Sequence, residues 1–153
     1  MAATRGEATI CISAPPERVY ELVADISQMG RWSPECYRCE WLDPAGRPKV
    51  GARFRGHNRM GLWRWSTTAE VVAAEPGREF AFTIVKGQRE STRWRYRFEP
   101  SGAGTSVTES YEFVWAPLYI RIGDLVMARD NQLRAGMIHT LERIKAAAEA
   151  PIV

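Results

Sequence analysis

Ten of the sixteen aromatic residues of this chain stand at i, i+2 spacing in four short runs. The runs are Trp63/Trp65, Phe80/Phe82, Trp94/Tyr96/Phe98 and Tyr111/Phe113/Trp115. Because successive side chains of a β-strand point to opposite faces, this spacing puts all the rings of a run on one face of a sheet. Rings are too bulky for flat sheet packing, so we expect the aromatic face either to close over a helix or to leave a cavity for a ligand.

Turn residues at near-regular intervals divide the chain into short strands. A first strand is predicted at Thr9–Ser13, then a helix that begins near Pro16 and a second helical turn that ends at Pro34. Six more strands are predicted, at about Cys36–Leu42, Ala52–Asn58, Trp63–Ala74, Arg78–Val85, Ser91–Glu99 and Thr105–Trp115. Short connections of this kind favour an antiparallel meander.

The last part of the chain has the pattern of one long helix. Apolar residues recur at three- and four-residue spacing, at Leu133, Met137, Leu141, Ile144 and Ala148. A helix from about Tyr119 to Glu149 would be roughly 45 Å long at 1.5 Å per residue. It would be long enough to cross the whole sheet.

Composition indicates a single globular domain over residues 1–153. A chain of 153 residues with 45% hydrophobic content is expected to bury roughly 68–70% of its unfolded surface. No apolar run approaches the roughly 20 residues of a membrane span, and the N-terminus lacks the apolar core of a signal peptide, so we expect a cytoplasmic protein. The net charge of +3 is mild and the arginines are scattered among acids, which does not favour a nucleic-acid partner. The sequence leaves monomer and homodimer open.

The three cysteines do not indicate a disulfide framework, since their number is odd. Cys36 and Cys39 have C-x-x-C spacing, but they fall in a predicted strand, and a redox pair is expected at a helix N-terminus. A zinc site would need two more ligands, and His57 and His139 fall at no familiar spacing from the pair. We interpret the two cysteines as small strand residues, and we predict no metal and no cofactor.

The order of elements resembles that of the START-related, or SRPBCC, helix-grip superfamily, which includes polyketide cyclase/dehydrase and lipid-transport proteins. Stretches similar to the small bacterial members are Ile12–Tyr20, Arg31–Glu35, Val50–Gly56, Gly104–Glu109 and Leu133–Leu141. The resemblance runs from Thr9 to Ala148. It implies an α+β helix-grip fold in which a seven-stranded, curved antiparallel sheet wraps a long C-terminal helix, with two short helices after strand 1. It also implies an apolar ligand cavity between sheet and helix, but not by itself a reaction.

Three polar residues share the predicted inner face with the aromatic rings. Glu109 has the parity of Tyr111, and a buried carboxyl group has a raised pKa and can act as a general acid or base. Alternatively, Glu109 pairs with an arginine, or a bulge turns it to water. Tyr96 either polarises a ligand carbonyl or packs and bonds to a neighbour. Asn58 either offers hydrogen bonds to a ligand or is a turn residue.

The predicted ligand-binding set consists of these three polar residues and a mainly apolar lining. The lining comprises Trp32, Phe54, Trp65, Thr67, Phe82, Trp94, Phe98, Tyr111, Phe113, Val126, Leu133 and Met137. The leading hypothesis is a binder of a hydrophobic small molecule such as a lipid, isoprenoid or polyketide. A polyketide-type cyclase or dehydratase that uses Glu109, Tyr96 or Asn58 is the second, and a protein-interaction module is the third. The sequence leaves open whether the protein is an enzyme.

Overall fold

The computed structural model describes residues 5–44, 46–115, 118–126 and 129–151. Within them, seven strands form one sheet: β1 (Arg5–Ile12), β2 (Cys36–Trp41), β3 (Arg53–Met60), β4 (Trp63–Glu75), β5 (Glu79–Lys86), β6 (Arg89–Ser101) and β7 (Gly104–Phe113). The strand order is β1-β7-β6-β5-β4-β3-β2, and every neighbouring pair is antiparallel. The predicted α+β helix-grip architecture is confirmed.

The helices occupy the two places that the sequence predicts. After β1 come α1 (Pro16–Ala24), a 3₁₀ turn (Ile26–Gln28) and the single-turn α2 (Met29–Trp32). After β7 come α3 (Leu118–Val126) and α4 (Arg129–Glu149), over the stretch for which the sequence predicts one helix. Residues 127 and 128, which join α3 to α4, lie outside the described part of the chain. No described helix is long and apolar enough to cross a membrane.

Helix α1 forms because its sequence suits both its first turn and its inner face. Pro16 lies in the first turn, where backbone N–H groups have no acceptor within the helix, so its missing N–H breaks no hydrogen bond. Glu17 lies at the positive end of the helix dipole. The helix buries Val19, Tyr20, Val23 and Ala24. Burying a side chain as large as valine contributes on the order of 2 kcal/mol, so this face fixes α1 on the sheet.

Helix α4 contributes a second helical face to the core. It buries Leu133, Met137, Thr140, Leu141, Ile144 and Ala148. Its C-terminal end is held to β1 and α1 by two long-range hydrogen bonds, from Lys145 Nζ to the Cys11 carbonyl (3.0 Å) and from Arg18 Nε to the Ala148 carbonyl (3.2 Å). The predicted apolar stripe of the helix is confirmed.

The aromatic runs differ from the prediction at their outer ends. Strand β7 ends at Phe113, so Trp115 lies beyond the strand, where its backbone N–H donates to the Ser91 carbonyl. Its side chain is 37% exposed, and that of Trp63, the first residue of β4, is 71% exposed. The aromatic face is therefore exposed at these two tryptophans, which lie outside the predicted ligand-binding set.

Candidate functional site

The inner face of the sheet follows the parity that the sequence predicts. Along β7, Thr105, Val107, Glu109 and Tyr111 are all buried, and the residues between them are more exposed. On the neighbouring strand β6, Tyr96 lies directly opposite Glu109. A carboxyl group therefore stands on the buried face, among aromatic rings.

Glu109 and Tyr96 form a hydrogen-bonded pair. The Tyr96 hydroxyl donates to Glu109 Oε1 at 2.8 Å, and Glu109 is only 4% exposed. The other carboxyl oxygen, Oε2, has no hydrogen-bond partner in the described structure. The alternative in which a bulge turns Glu109 to water is therefore wrong. The observed partner is a tyrosine rather than an arginine.

Burial makes Glu109 a weak acid. Loss of solvation raises the pKa of its carboxyl group to about 8, and the hydrogen bond from Tyr96 opposes this rise only in part. Burial and the nearby Glu109 carboxylate also hold the pKa of the Tyr96 hydroxyl well above its ordinary value. At neutral pH the pair consists of a mainly protonated carboxyl group and a neutral phenol. The carboxyl group can donate a hydrogen bond or a proton through its unpartnered edge.

Asn58 lies on the same face in β3, and strands β4 and β5 separate it from Tyr96 in β6. It is a residue of β3 that is 9% exposed, and it stands opposite Trp65 and Cys36 in the neighbouring strands. Its Nδ2 donates to Thr67 Oγ1 at 3.4 Å, a long hydrogen bond. The interpretation of Asn58 as a turn residue is wrong. Its amide group remains available on the inner face.

Many predicted lining rings pack against one another. Phe54 meets Phe82 edge to face at 5.1 Å between ring centroids, and Phe98 meets Tyr20 of α1 at 5.8 Å. Trp32 of α2 is also part of this buried cluster, at 3% exposure. These rings build the core beneath α1 and the C-terminal half of α4, and their contact with a ligand stays a prediction.

A second buried cluster lies toward the beginning of α4. It consists of Tyr111, Leu133 and Met137, with Trp94 and Phe113 packed against it. The predicted residues Trp65, Thr67, Trp94 and Phe113 are only partly buried. The side chain of Val126 lies outside the described residues. The structure therefore brings Glu109 and Tyr96 together between two apolar clusters.

The start of α4 is tied to the sheet by contacts that sequence reasoning missed. Arg129 makes a two-pronged ion pair with Glu35, in which Nη1 lies 2.9 Å from Oε2. The Tyr111 hydroxyl donates to Asp130 Oδ1 at 3.3 Å. These contacts position the helix end that lies over the second cluster. No local pattern signals the Arg129–Glu35 pair, because 94 residues separate its members.

Two open depressions lie largely on the outer side of the sheet. One, of about 670 Å³, is lined by Arg5, Gly6, Glu7, Arg93, Arg95, Ser110, Tyr111, Glu112 and Arg134. The other, of about 730 Å³, is lined mostly by outward-pointing residues of β3 to β6. Tyr111 is the one predicted lining residue that either depression includes.

His57 points to the outer side of the sheet, where it contacts Glu40 and Ser66.

The described residues contain no cluster of three or more histidine, cysteine or acidic side chains that could hold a metal ion. At Glu109, Tyr96 and Asn58 the inner face presents a buried carboxyl group, a phenol and an amide.

Solved structures share this fold. A polyketide cyclase-like protein from Corynebacterium glutamicum is 37% identical, with a TM-score of 0.61, over 95% of this chain and 91% of that chain. A protein from Chromobacterium violaceum is 17% identical, with a TM-score of 0.73, over 97% of this chain and all of that chain. The di-domain ARO/CYC StfQ from the steffimycin biosynthetic pathway is 15% identical, with a TM-score of 0.76, over 95% of this chain and 50% of that chain.

No curated protein matches the chain. The sequence model of one family matches almost its whole length, from residue 3 to residue 149. The chain belongs to the polyketide cyclase/dehydrase and lipid transport family.

Proposed function

We propose that the protein binds a hydrophobic small molecule, such as a lipid, an isoprenoid or a polyketide, between the sheet and the C-terminal helix. The observation that carries this proposal is the free edge of Glu109: a buried carboxyl oxygen without a partner. Leaving a buried polar group unsatisfied costs about 1–3 kcal/mol. A ligand hydroxyl or carbonyl group that pairs with Oε2 would recover this energy.

The surroundings of Glu109 define the chemistry of the ligand. Most side chains on the inner face are aromatic or aliphatic, and Tyr96, Asn58, Thr67 and Thr105 are among the polar exceptions. Sites of this type bury an apolar body and orient it with a few polar contacts. The ligand is therefore a largely apolar molecule with one or two oxygen functions.

Exposed apolar side chains lie near the end of the sheet where strands β3 and β7 end, and they support a ligand entrance there. Leu62 and Trp63 in the β3–β4 hairpin are strongly exposed, as are Leu118, Tyr119 and Ile122 of α3. Large apolar side chains that stay in water often mark a binding site. We place the entrance between this hairpin and α3.

A pair of adjacent substitutions tests the binding site. Thr67 points to the inner face and Thr68 to the outer face of β4, by strand parity. Thr67→Phe fills the proposed cavity, whereas Thr68→Phe adds the same volume outside it. In a displacement assay with a polarity-sensitive fluorescent dye and a long-chain fatty acid, we expect Thr67→Phe alone to weaken binding, by about tenfold or more. Equal binding by both variants, or none by the native protein, would contradict the proposal.

The second candidate function is a cyclase or dehydratase that acts on a polyketide-like substrate. It is favoured by the raised pKa of Glu109, about 8, because a carboxyl group that keeps its proton at neutral pH can protonate a carbonyl oxygen during an aldol cyclisation. The fold similarity to the di-domain ARO/CYC StfQ is in keeping with this chemistry. Glu109→Gln retains the shape and removes the acid. Unchanged turnover of a poly-β-ketone substrate by that variant would remove the assigned role.

We further propose that residues 1–153 form a single domain that acts in the cytoplasm. One continuous sheet contacts helices from both ends of the described chain, which supports a single domain. Fractionation of the native cells, with antibody detection, tests the location.

A further inference from the structure

The C-x-x-C segment lies on the inner face because β2 contains a bulge. In a regular strand, residues three apart point to opposite faces. Here the register shifts between Cys36 and Arg38, so that Cys36 pairs with Asn58 and Cys39 pairs with Gly56. Both partners belong to the inward set of β3, and both cysteines are buried, at 8% and 6% exposure. The extra residue of the bulge thus turns the two thiols to the same side.

The two sulfur atoms are already in contact. Cys36 Sγ and Cys39 Sγ are 3.2 Å apart, and Met29 Sδ lies 3.7 Å from Cys39 Sγ. Gly56 lies beside them, since a Cβ atom there would stand 3.6 and 3.7 Å from the two cysteine sulfurs, in ordinary van der Waals contact. A disulfide needs a sulfur separation of about 2.05 Å. To form a disulfide, the two sulfur atoms would therefore have to move closer by about 1 Å.

The two thiols are not equivalent. The hydrogen bond between the two sulfur atoms is the main reason why the pKa of Cys36 is lowered, although burial opposes it. The same hydrogen bond and burial raise the pKa of Cys39. Because the thiolate is the reactive form, the lower pKa favours Cys36 as the first nucleophile and Cys39 as the resolving thiol, an assignment that the single-cysteine variants below test.

We propose that Cys36 and Cys39 form a reversible dithiol–disulfide site that hydrogen peroxide oxidises. The Cys36 thiolate attacks one peroxide oxygen, the O–O bond breaks, and the other oxygen leaves as water after it takes up a proton. The resulting sulfenic acid on Cys36 is attacked by the Cys39 sulfur; the S–O bond breaks, the S–S bond forms and a second water leaves. Two protons and two electrons pass from the thiols to the peroxide. This inference does not depend on the proposed function.

The site differs from the interpretation of the two cysteines as ordinary small strand residues. Ordinary packing does not require both side chains on one face or direct sulfur contact, and the bulge provides both. Oxidation would link the residues on either side of the bulge and remove two thiols from the face that also carries Asn58.

The experiment uses the full chain with Cys11→Ser, since Cys11 is exposed and would react on its own. The protein is treated with hydrogen peroxide, unfolded in denaturant, alkylated with N-ethylmaleimide and weighed by intact mass spectrometry. We expect loss of both alkylatable thiols, a mass lower by two hydrogens before alkylation, and full recovery with dithiothreitol. Peptide mapping should show one linked peptide that contains both residues.

A matched pair of variants assigns the roles. With Cys39→Ser, we expect a sulfenic acid on Cys36 that dimedone traps, and no internal link. With Cys36→Ser, we expect Cys39 to stay reduced at the same peroxide concentration. Two thiols that remain alkylatable in the Cys11→Ser protein, or direct conversion to sulfinic acid without a linked peptide, would overturn the proposal. Because this readout comes from a chain that keeps both cysteines, it does not depend on how well the single variants fold.

Discussion

Tyr96 donates its hydroxyl hydrogen to one oxygen of Glu109 across the β6–β7 pair, and the other oxygen of Glu109 has no partner. The two residues stand directly opposite in the register, so that the sheet itself brings them together. One interaction accounts for the position of the carboxyl group, and burial accounts for its pKa. The oxygen without a partner, Oε2, is the one that can bind a ligand.

The pH dependence of stability should report the state of Glu109. Its pKa is about 8 in the fold, against 4.5 for an ordinary glutamate, so between these values the folded protein binds more protons than the unfolded chain. The contribution of Glu109 to the free energy of unfolding is therefore largest below pH 4.5 and falls as the pH rises to about 8. The total loss is at most about 5 kcal/mol.

Chemical denaturation of the native protein and Glu109→Gln at several pH values measures this effect. The glutamine variant keeps the shape but cannot ionise, so its stability should fall less between pH 4.5 and 8. Contributions from groups that the two proteins share cancel in the difference. A difference that stays constant over this range would show that Glu109 ionises normally.

Replacing Tyr96 by phenylalanine should move the pKa of Glu109 further upward, because the hydrogen bond from Tyr96 is the influence that lowers it. The variant leaves both carboxyl oxygens without a partner, so we also expect a loss of about 1–2 kcal/mol in stability. Carbon-13 NMR of the Glu109 carboxyl group checks the pKa. Tyr119→Phe is the control, since Tyr119 is 75% exposed and should change neither quantity. A lower pKa in Tyr96→Phe would contradict the assignment.

The inner face could be predicted from sequence because side-chain parity depends only on the backbone of a strand. Thr105, Val107, Glu109 and Tyr111 are buried in alternation as their spacing predicts. The limits of the pattern are at strand ends: Trp115 has the right parity, but it lies beyond the last strand pair. Period-two spacing indicates a face but not where the strand stops.

The parts that could not be predicted depend on contacts between distant elements. The bulge at Tyr37 turns Cys36 and Cys39 to one side, and it lies against the backbone of Gly30 in α2. The Arg129–Glu35 pair likewise joins α4 to the segment before β2. Neither contact can be inferred from the local spacing of residues. That the two thiols lie on one face is therefore seen only in the structure.

The ion pair between Arg129 and Glu35 should stabilise the fold measurably. Its side chains are only 18% and 28% exposed, so solvent screens the pair less than a surface pair. In a double-mutant cycle with alanine at both positions, we expect a coupling energy of about 1 kcal/mol. The Arg38–Glu40 pair, 65% and 42% exposed, is the control and should give about 0–0.5 kcal/mol. Equal coupling in the two cycles would contradict a special role for Arg129.

Gly30 should be intolerant of a side chain, because it allows the bulge to pack against α2. A Cβ atom at Gly30 would lie 2.3 Å from the Tyr37 carbonyl oxygen and 2.8 Å from its carbon. Both are backbone atoms, and they move only if the bulge itself moves. We expect Gly30→Ala to lower the free energy of unfolding by at least about 2 kcal/mol.

Gly123→Ala is the matched control for Gly30→Ala, since Gly123 is also helical and a Cβ atom there meets nothing within 4 Å. Alanine favours a helix by about 1 kcal/mol over glycine, so this variant should be as stable as the native protein or more so. Denaturant unfolding compares the two variants. Because the bulge also aligns the two thiols, Gly30→Ala should slow disulfide formation between Cys36 and Cys39, whereas Gly123→Ala should leave the rate unchanged. Equal stability and equal oxidation rates in the two variants would show that the contact between Gly30 and Tyr37 does not hold the bulge in place.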